Sequence, residues 1–431
     1  MLASFLLTGC ASPESKRPLV SSQLQNRTGH TIGTQTDPGT ISLPPGVSFA
    51  RPLTDDEAVA IALWNNAAFQ QLLSELGLAR ADIVMAGQIS NPTFMALFPL
   101  GEKQLEYLAK VPVEALWQRK RKVVAAEAQS QEVAERMVQV GLNLIRDVKL
   151  ACADLRLAEG NVALKKESAA LLKQIAALAE SRFQAGDISE LETVTARIAA
   201  LNAEQDFRRA QADAAVAQVH LRTLLGLGRD QVNLTLTGHT LKSDPDERDV
   251  NELVTDALAN RPDLRAAELG LEAAGDRAKV SRREIYTLTV LLDGNGTGSD
   301  ANFGPGVDFA IPIFNQNQGG IAIADARLDQ AARRYVTVRD QIVFEVQQAH
   351  VRWQQSAEAV KTWNDHLKPG LEGAVHVAKT GVSSGDLPPL QSLEAERTLV
   401  NALLNQQLAI ADWQRATAEL ERAIGHRLDL P

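Results

Sequence analysis

Residues able to do covalent or metal chemistry are few and scattered. The chain has no HExxH, no Walker loop, no nucleophile elbow and no paired-cysteine metal motif. Its seven histidines, His30, His220, His239, His350, His366, His376 and His426, include no pair at ligand spacing and read as surface or packing residues. The four methionines form no cluster. Gly294, Gly296 and Gly298 alternate, but a phosphate loop must lead into a helix N-terminus. Here a second strand pattern follows, so the stretch reads as a hairpin loop. Cys152 lies at a helical position beside an apolar seam and reads as an inert buried thiol. Nothing implies a resident metal or cofactor, and the pattern is that of a non-enzyme. Two short segments remain, Arg182-Phe183-Gln184-Ala185-Gly186-Asp187-Ile188-Ser189 and Gly381-Val382-Ser383-Ser384-Gly385-Asp386-Leu387-Pro388. Each is a tight break between helices with a carboxylate at its centre. Asp187 and Asp386 read as N-caps of the helices that follow, because an N-cap side chain accepts a bond from a free backbone amide.

The elements that hold these turns are long helices. A stretch from Gly304 to Ala332 shows how they begin. Val307, Phe309, Ile311 and Ile313 alternate with Asp308, Ala310 and Pro312, the period of a two-faced strand. Pro312 cannot donate a ladder hydrogen bond and should end the strand. Asn315 to Gly320 is turn chemistry, after which Ile321, Leu328, Tyr335, Ile342 and Ala349 recur every seven residues, with Ala324, Ala331 and Val338 between them. That is a coiled-coil seam. In the first half a helix is expected from Glu114 to Gln184, with the seam Leu144, Val148, Ala151, Leu155, Ala158 and Val162. At 1.5 Å per residue, helices of this size run roughly 100 Å. Short strands are expected over Thr93–Leu97, Leu105–Val113, Ile285–Asp293 and Val307–Ile313. Thr54 and Glu57 form a capping box for a helix running on to about Ile89.

The pattern occurs twice. Ala62-Leu63-Trp64-Asn65 matches Ala257-Leu258-Ala259-Asn260, Trp117 matches Phe314, Gly186-Asp187 matches Gly385-Asp386, and Gly226 matches Gly425. These landmarks divide the chain into an N-terminal segment 1–10, an extended tether 11–52, a first repeat 53–231, a connector 232–249, a second repeat 250–427 and a tail 428–431. The net charge of −9 and pI near 5.4 argue against a nucleic-acid partner. Aromatics are only 4 % of residues while 45 % are hydrophobic, a mix suited to narrow seams between helices. No apolar run is long enough for a spanning helix. A membrane role then requires a closed β-barrel or a lipid anchor. Leu7-Thr8-Gly9-Cys10-Ala11 has the form of a lipobox, with Cys10 as the lipidated residue and a chance match as the alternative. The residues ahead of it are shorter than a full secretion signal and lack a basic start, so a longer precursor is expected.

The run Ile311-Pro312-Ile313-Phe314-Asn315-Gln316-Asn317-Gln318-Gly319-Gly320, continuing to Ala332, resembles the TolC family of bacterial outer-membrane efflux channels, and the resemblance extends over roughly residues 52–427. In that family a barrel strand ends in a Pro-aromatic turn and feeds a helix that leaves the membrane. This makes Pro312, Phe314, Gly319 and Gly320 a barrel-to-helix junction. The resemblance implies a mixed α and β fold, with duplicated coiled-coil hairpins and four β-strands per chain. Three chains would then build a 12-stranded β-barrel continuous with an α-helical periplasmic tunnel. It implies a lipid-anchored homotrimer in the outer membrane of a Gram-negative bacterium, in contact with outer-membrane lipid. It implies passive conduction, with a periplasmic adaptor (membrane fusion) protein and an inner-membrane pump of the proton-driven tripartite type as partners.

By the same resemblance the helix turns form the pore tip that docks the adaptor, through Arg182, Gly186, Asp187 and Ser189 and through Gly385 and Asp386. Val382 and Pro388-Pro389 depart from the first turn's pattern. Three copies of Asp386 around a narrow axis would attract cations; capping alone is the alternative. Tyr107, Trp117, Tyr286 and Phe314 flank the strands, as an interfacial girdle or as core packing. Cargo stays open among metal cations, small organic drugs and a polypeptide, with the acidic charge leaning towards cations. The competing reading is a lipid-anchored periplasmic coiled-coil scaffold without a pore, for which two duplicated hairpins would have no use.

Overall fold

The computed structural model describes residues 14–34, 37, 39–98, 105–228, 232–238, 249–283, 285, 287–296 and 301–428. Cys10, Tyr286, His239, the 297–300 loop and most of the 232–249 connector lie outside them. Helices α1 (Arg17–Thr28), α2 (Asp55–Asn65), α3 (Ala67–Leu73) and α4 (Glu75–Gly87) precede strands β1 (Thr93–Leu97) and β2 (Glu106–Pro112). Two long helices follow, α5 (Ala115–Gln184) and α6 (Glu190–Leu224). The second half repeats the order with α7 (Val250–Asn260), α8 (Pro262–Ser281), β3 (Leu288–Asn295) and β4 (Asn302–Phe309). It closes with α9 (Gln318–Thr362), a π-helical turn (Trp363–Leu367), α10 (Lys368–Ser383) and α11 (Pro389–Ile424). No helix among the described residues is long and apolar enough to cross a membrane.

Residues gather into two compact units, one centred on Gln71–Gln139 and Arg261–Gln341, the other on Ser21–Gln70, Val140–Asn260 and Ile342–Pro431. The first holds the sheet, in antiparallel order β1-β2-β3-β4, with β1 and β4 as its edges. Leu97, Glu106, Asn295 and Asn302 therefore lie at one end of the sheet, and α4, α5, α8 and α9 attach at the other. Its helical core is rich in small residues, with Ala125, Ala128, Ala134, Ala267, Ala273 and Ala324 buried alongside Met137 and Leu264. The second unit buries the capped helix α2 through Val59, Ile61, Ala62 and Leu63. The Thr54–Glu57 capping box forms as expected. The expected seams also hold. Leu144, Val148, Ala151 and Leu155 are buried on α5. On α9, Ala324, Ile342 and Ala349 are buried and the seam positions between them half-buried, while the intervening Asp329 and Arg333 are exposed.

Four expectations are corrected. The helix from Thr54 to Ile89 is three helices. Asn66 leaves helical geometry at ψ 113°, and its side chain caps α3 through the Phe69 amide (2.9 Å) while donating to the Leu224 carbonyl (2.9 Å). Residues 11–52 are not wholly extended: they contain α1, whose Leu24 is fully buried and fits where Gly141 has no side chain. The second long helix is interrupted by the π-turn at Trp363–Leu367. Pro369 lies just beyond and lacks an N–H, and a wider turn is how a helix absorbs that defect. Finally, β4 is Asn302–Phe309 rather than Val307–Ile313, so Pro312 does not end it. The strand stops at Phe309 because its partner β3 begins opposite, at Leu288, and the segment beyond has no ladder. For the same reason β3 runs through Gly294 to Asn295, opposite Phe303 and Asn302.

Candidate functional site

Three features can carry function: the two helix turns, the junction between β4 and α9, and the faces of the sheet. At the first turn α5 ends in a Schellman motif. The Gly186 amide donates to the Phe183 carbonyl and the Asp187 amide to the Arg182 carbonyl, each at 2.9 Å. Gly186 has φ +81°, a left-handed value that glycine adopts without steric cost. The second turn repeats the motif. Gly385 (φ +82°) donates to Val382 at 3.1 Å, and Asp386 donates to Gly381 at 2.9 Å. Asp187 and Asp386 thus close the preceding helices through their backbone amides, and, contrary to the sequence expectation, neither N-caps the helix that follows. The N-cap of α6 is Ser189, in a capping box with Glu192. The N-cap of α11 is Pro388, with no side-chain bond. Asp386 instead accepts from the Ser384 hydroxyl at 2.6 Å. Val382 occupies the place of Phe183, and Gly381 that of Arg182. A β-carbon at Gly381 would meet the Leu387 side chain, which would have to shift to admit an arginine there.

An electrostatic clamp at these turns was not singled out in the sequence. Arg197 on α6 bridges to Glu180 on α5 at 2.8 Å, and Lys379 on α10 to Glu396 on α11 at 3.0 Å. Both residues of each pair are related by the same 199-residue offset as the glycines, with the charges exchanged between arms. That offset is the signal that could have found them. Gln184, then Arg197, hold the Glu180 carboxyl below its usual range. The Ser189 backbone amide, then its hydroxyl, and beyond them the Arg182 charge do the same for Glu192.

At the junction, Pro312 is half-buried and Phe314 is 93 % exposed. Gly319 and Gly320 fall in the first turn of α9 rather than ahead of it. The turn is made by Asn317, at φ +57°, whose side chain donates to the Ser281 carbonyl at 2.8 Å. A β-carbon on Gly320 would lie 2.3 Å from the Asn317 side-chain oxygen, so the bare backbone there is required for this turn.

The sheet register sorts the side chains. One face carries Phe94, Ala96, Tyr107, Ala109, Val111, Leu288, Val290, Leu292, Phe303, Pro305, Val307 and Phe309, and no charge. Phe94 and Tyr107 stack on it, with ring centroids 6.2 Å apart. All four charged residues of the strands, Glu106, Lys110, Asp293 and Asp308, share the opposite face. Among the described residues nothing covers the apolar face: Phe94, Phe303, Val307 and Phe309 are all more than half exposed. Trp117 is likewise exposed, at the start of α5. Among the described residues no group of three or more His, Cys, Asp or Glu side chains is placed to hold a metal ion. Cys152 is fully buried, and that burial pushes its thiol pKa far up.

Long helices carrying a sheet with one apolar and one charged face define a membrane channel type of protein. The outer membrane efflux protein model matches residues 59–227 and 253–426, one match to each half of the duplication, and the chain belongs to that family. It is 27 % identical over 399 residues to the cobalt-zinc-cadmium resistance protein CzcC of Cupriavidus metallidurans, covering 91 % of this chain and 94 % of CzcC. Its fold is similar to that of a membrane protein from Pseudomonas aeruginosa (TM-score 0.71, 20 % identity, 91 % of this chain and 99 % of that one). It is also similar to that of the Campylobacter jejuni CmeC outer membrane channel (TM-score 0.71, 15 % identity, 87 % and 86 %). The protein is accordingly an efflux protein of the outer membrane and not an enzyme.

Proposed function

We propose that three copies of the chain join their sheets edge to edge into a barrel of about 12 strands and conduct solute passively from periplasm to exterior. The observation that carries this reading is the two-faced sheet with two unpaired edges. An apolar face without cover suits hydrocarbon, and a face bearing all the strand charges suits a watery lumen. Open edges in lipid leave backbone groups unsatisfied, at several kcal/mol each, and closure with further copies removes that cost. The α5–α6 and α10–α11 turns are the docking tip for a periplasmic adaptor, which links the channel to an inner-membrane pump of the proton-driven tripartite type. Arg182, Gly186, Asp187 and Ser189 serve at the first turn, Gly385 and Asp386 at the second. The junction at Pro312, Phe314, Gly319 and Gly320 separates barrel from tunnel, and lipidation at Cys10 anchors the chain.

The cargo class that fits best is metal cations. The charged sheet face has three carboxylates against one lysine, and CzcC, a relative aligned over 91 % of the chain, is named for cobalt, zinc and cadmium resistance. The Asp386 carboxylate forms no N-cap and accepts from the Ser384 hydroxyl, and three copies of it around a narrow axis would favour cations. The test is single-channel recording of detergent-extracted protein in planar bilayers. Discrete, cation-preferring openings are expected, with the preference reduced in Asp386→Asn. A folded protein that inserts but never conducts would overturn the channel in favour of a scaffold, and selectivity unchanged by Asp386→Asn would remove the gate alone.

A further inference from the structure

Below the sheet, α4, α5, α8 and α9 line an open cavity of about 500 Å³. Lys122, Arg277 and Arg327 line it against a single carboxylate, Asp82. Its floor is small and apolar, with Ala125, Ala126 and Ala274. Gly320, in the first turn of α9, also lines it, so the positive end of that helix's dipole adds to the field. This concentration of positive charge is anomalous in a chain of net charge −9. It continues along α5, where Arg119-Lys120-Arg121-Lys122 begins two residues after the exposed Trp117. An aromatic followed at once by a basic run is the arrangement that seats a protein at a membrane boundary and attracts anionic headgroups.

We propose that this cavity binds the headgroup phosphate of an anionic glycerophospholipid. The proposal rests on the barrel reading above, which sets the apolar sheet face among acyl chains and this cavity at headgroup level on the periplasmic side. Guanidinium groups match phosphate oxygens in paired hydrogen bonds, and the two arginines provide the donors, with the Lys122 charge adding to the field. The exposed Ile323 on the cavity wall offers an apolar contact to the first carbons of a lipid chain. Free phosphate could satisfy the cations but would make no use of that wall or of the adjoining sheet.

The experiment is native mass spectrometry of the full-length protein in detergent, titrated with phosphatidylglycerol, phosphatidylcholine or inorganic phosphate, alongside flotation with vesicles of each lipid. Wild type should retain phosphatidylglycerol selectively, and millimolar inorganic phosphate should not displace it. The Arg277→Gln, Arg327→Gln double variant should bind phosphatidylglycerol about 30-fold more weakly, at roughly fivefold per basic residue removed. Arg208→Gln, on the exposed face of α6, should bind as wild type. Equal retention of both lipids, or undiminished phosphatidylglycerol binding by a folded double variant, would overturn the lipid site while leaving the barrel intact. Full displacement by inorganic phosphate would reassign the cavity to the free anion. Failure to float with any vesicle would overturn the barrel reading and this inference together.

Discussion

Gly226→Ala tests how the return helix of the first repeat is joined to its neighbour. Gly226 follows the end of α6 at φ +76°, and a β-carbon there would lie 2.3 Å from the Asn65 carbonyl oxygen and 2.6 Å from its carbon. Two costs combine. The left-handed conformation costs a residue with a β-carbon about 1–2 kcal/mol. The collision is with backbone, so no rotamer change relieves it, and forced shifts in packed structure cost a further ~1–3 kcal/mol. Asn65 has little freedom to move away, because its side chain is bonded to both the amide and the carbonyl of Ser42, at 2.7 and 2.8 Å. The sum is about 2–4 kcal/mol, since stiffening of the unfolded chain offsets part of it. Gly186→Ala is the matched control. Its φ is nearly the same, but nothing lies within 4 Å of the added carbon, so only the conformational cost applies. Hydrogen exchange read by mass spectrometry measures local opening without assuming that the whole chain unfolds as one. Amides around 61–66 and 221–228 should exchange about 30- to 700-fold faster in Gly226→Ala, at tenfold per 1.4 kcal/mol. Amides around 182–190 in Gly186→Ala should change about tenfold. Equal effects in the two variants would show that the contact with Asn65 contributes nothing and would refute the reasoning.

Two further outcomes are expected. Asp56 has its pKa lowered to about 2, chiefly by His30 and also by Arg427, whose side chains lie 3.3 Å away. A depressed carboxylate stabilises the fold above its unfolded pKa near 4, and that contribution is lost as pH falls through 2. Thermal melts should therefore show wild type losing more stability than Asp56→Asn between pH 4 and pH 2; parallel losses would contradict this. Cys152 is buried with its thiol held protonated, so peptide mapping should find it unlabelled by maleimide in the folded protein and fully labelled in denaturant. Labelling at a comparable rate in both states would show that the seam opens.

Features set by neighbours in sequence were legible. The heptad seam through Ile321, Ile342 and Ala349, the glycine breaks at 186 and 385, and the Thr54–Glu57 box all follow from local periodicity and capping chemistry. What the sequence hid depends on partners far along the chain. Asn66 breaks a helix because it bonds to Leu224, 158 residues on. β4 ends at Phe309 because β3 begins at Leu288. Leu24 makes α1 worth forming because Gly141 leaves room for it. At the turns the glycines were read correctly and the carboxylates were not. Ser189 accepts the Glu192 amide in the first turn of α6, and only the backbone geometry shows that Asp187 belongs to the helix before it.

The reversed ion pairs and the single π-turn bear on symmetry. Duplication made two hairpins from one, but only the second has the π-turn, and its spacing from the strand junction is two residues longer than in the first. Glu180 with Arg197 and Lys379 with Glu396 give the two hairpins opposite dipoles across their arms. In the proposed ring of three chains there would be six hairpins of two alternating kinds, threefold rather than sixfold in charge. A partner engaging all six would then need two distinct binding surfaces, and one with a single kind of surface would fill only every other position. Under that proposal, divergence after duplication would set the stoichiometry of what the ring can hold.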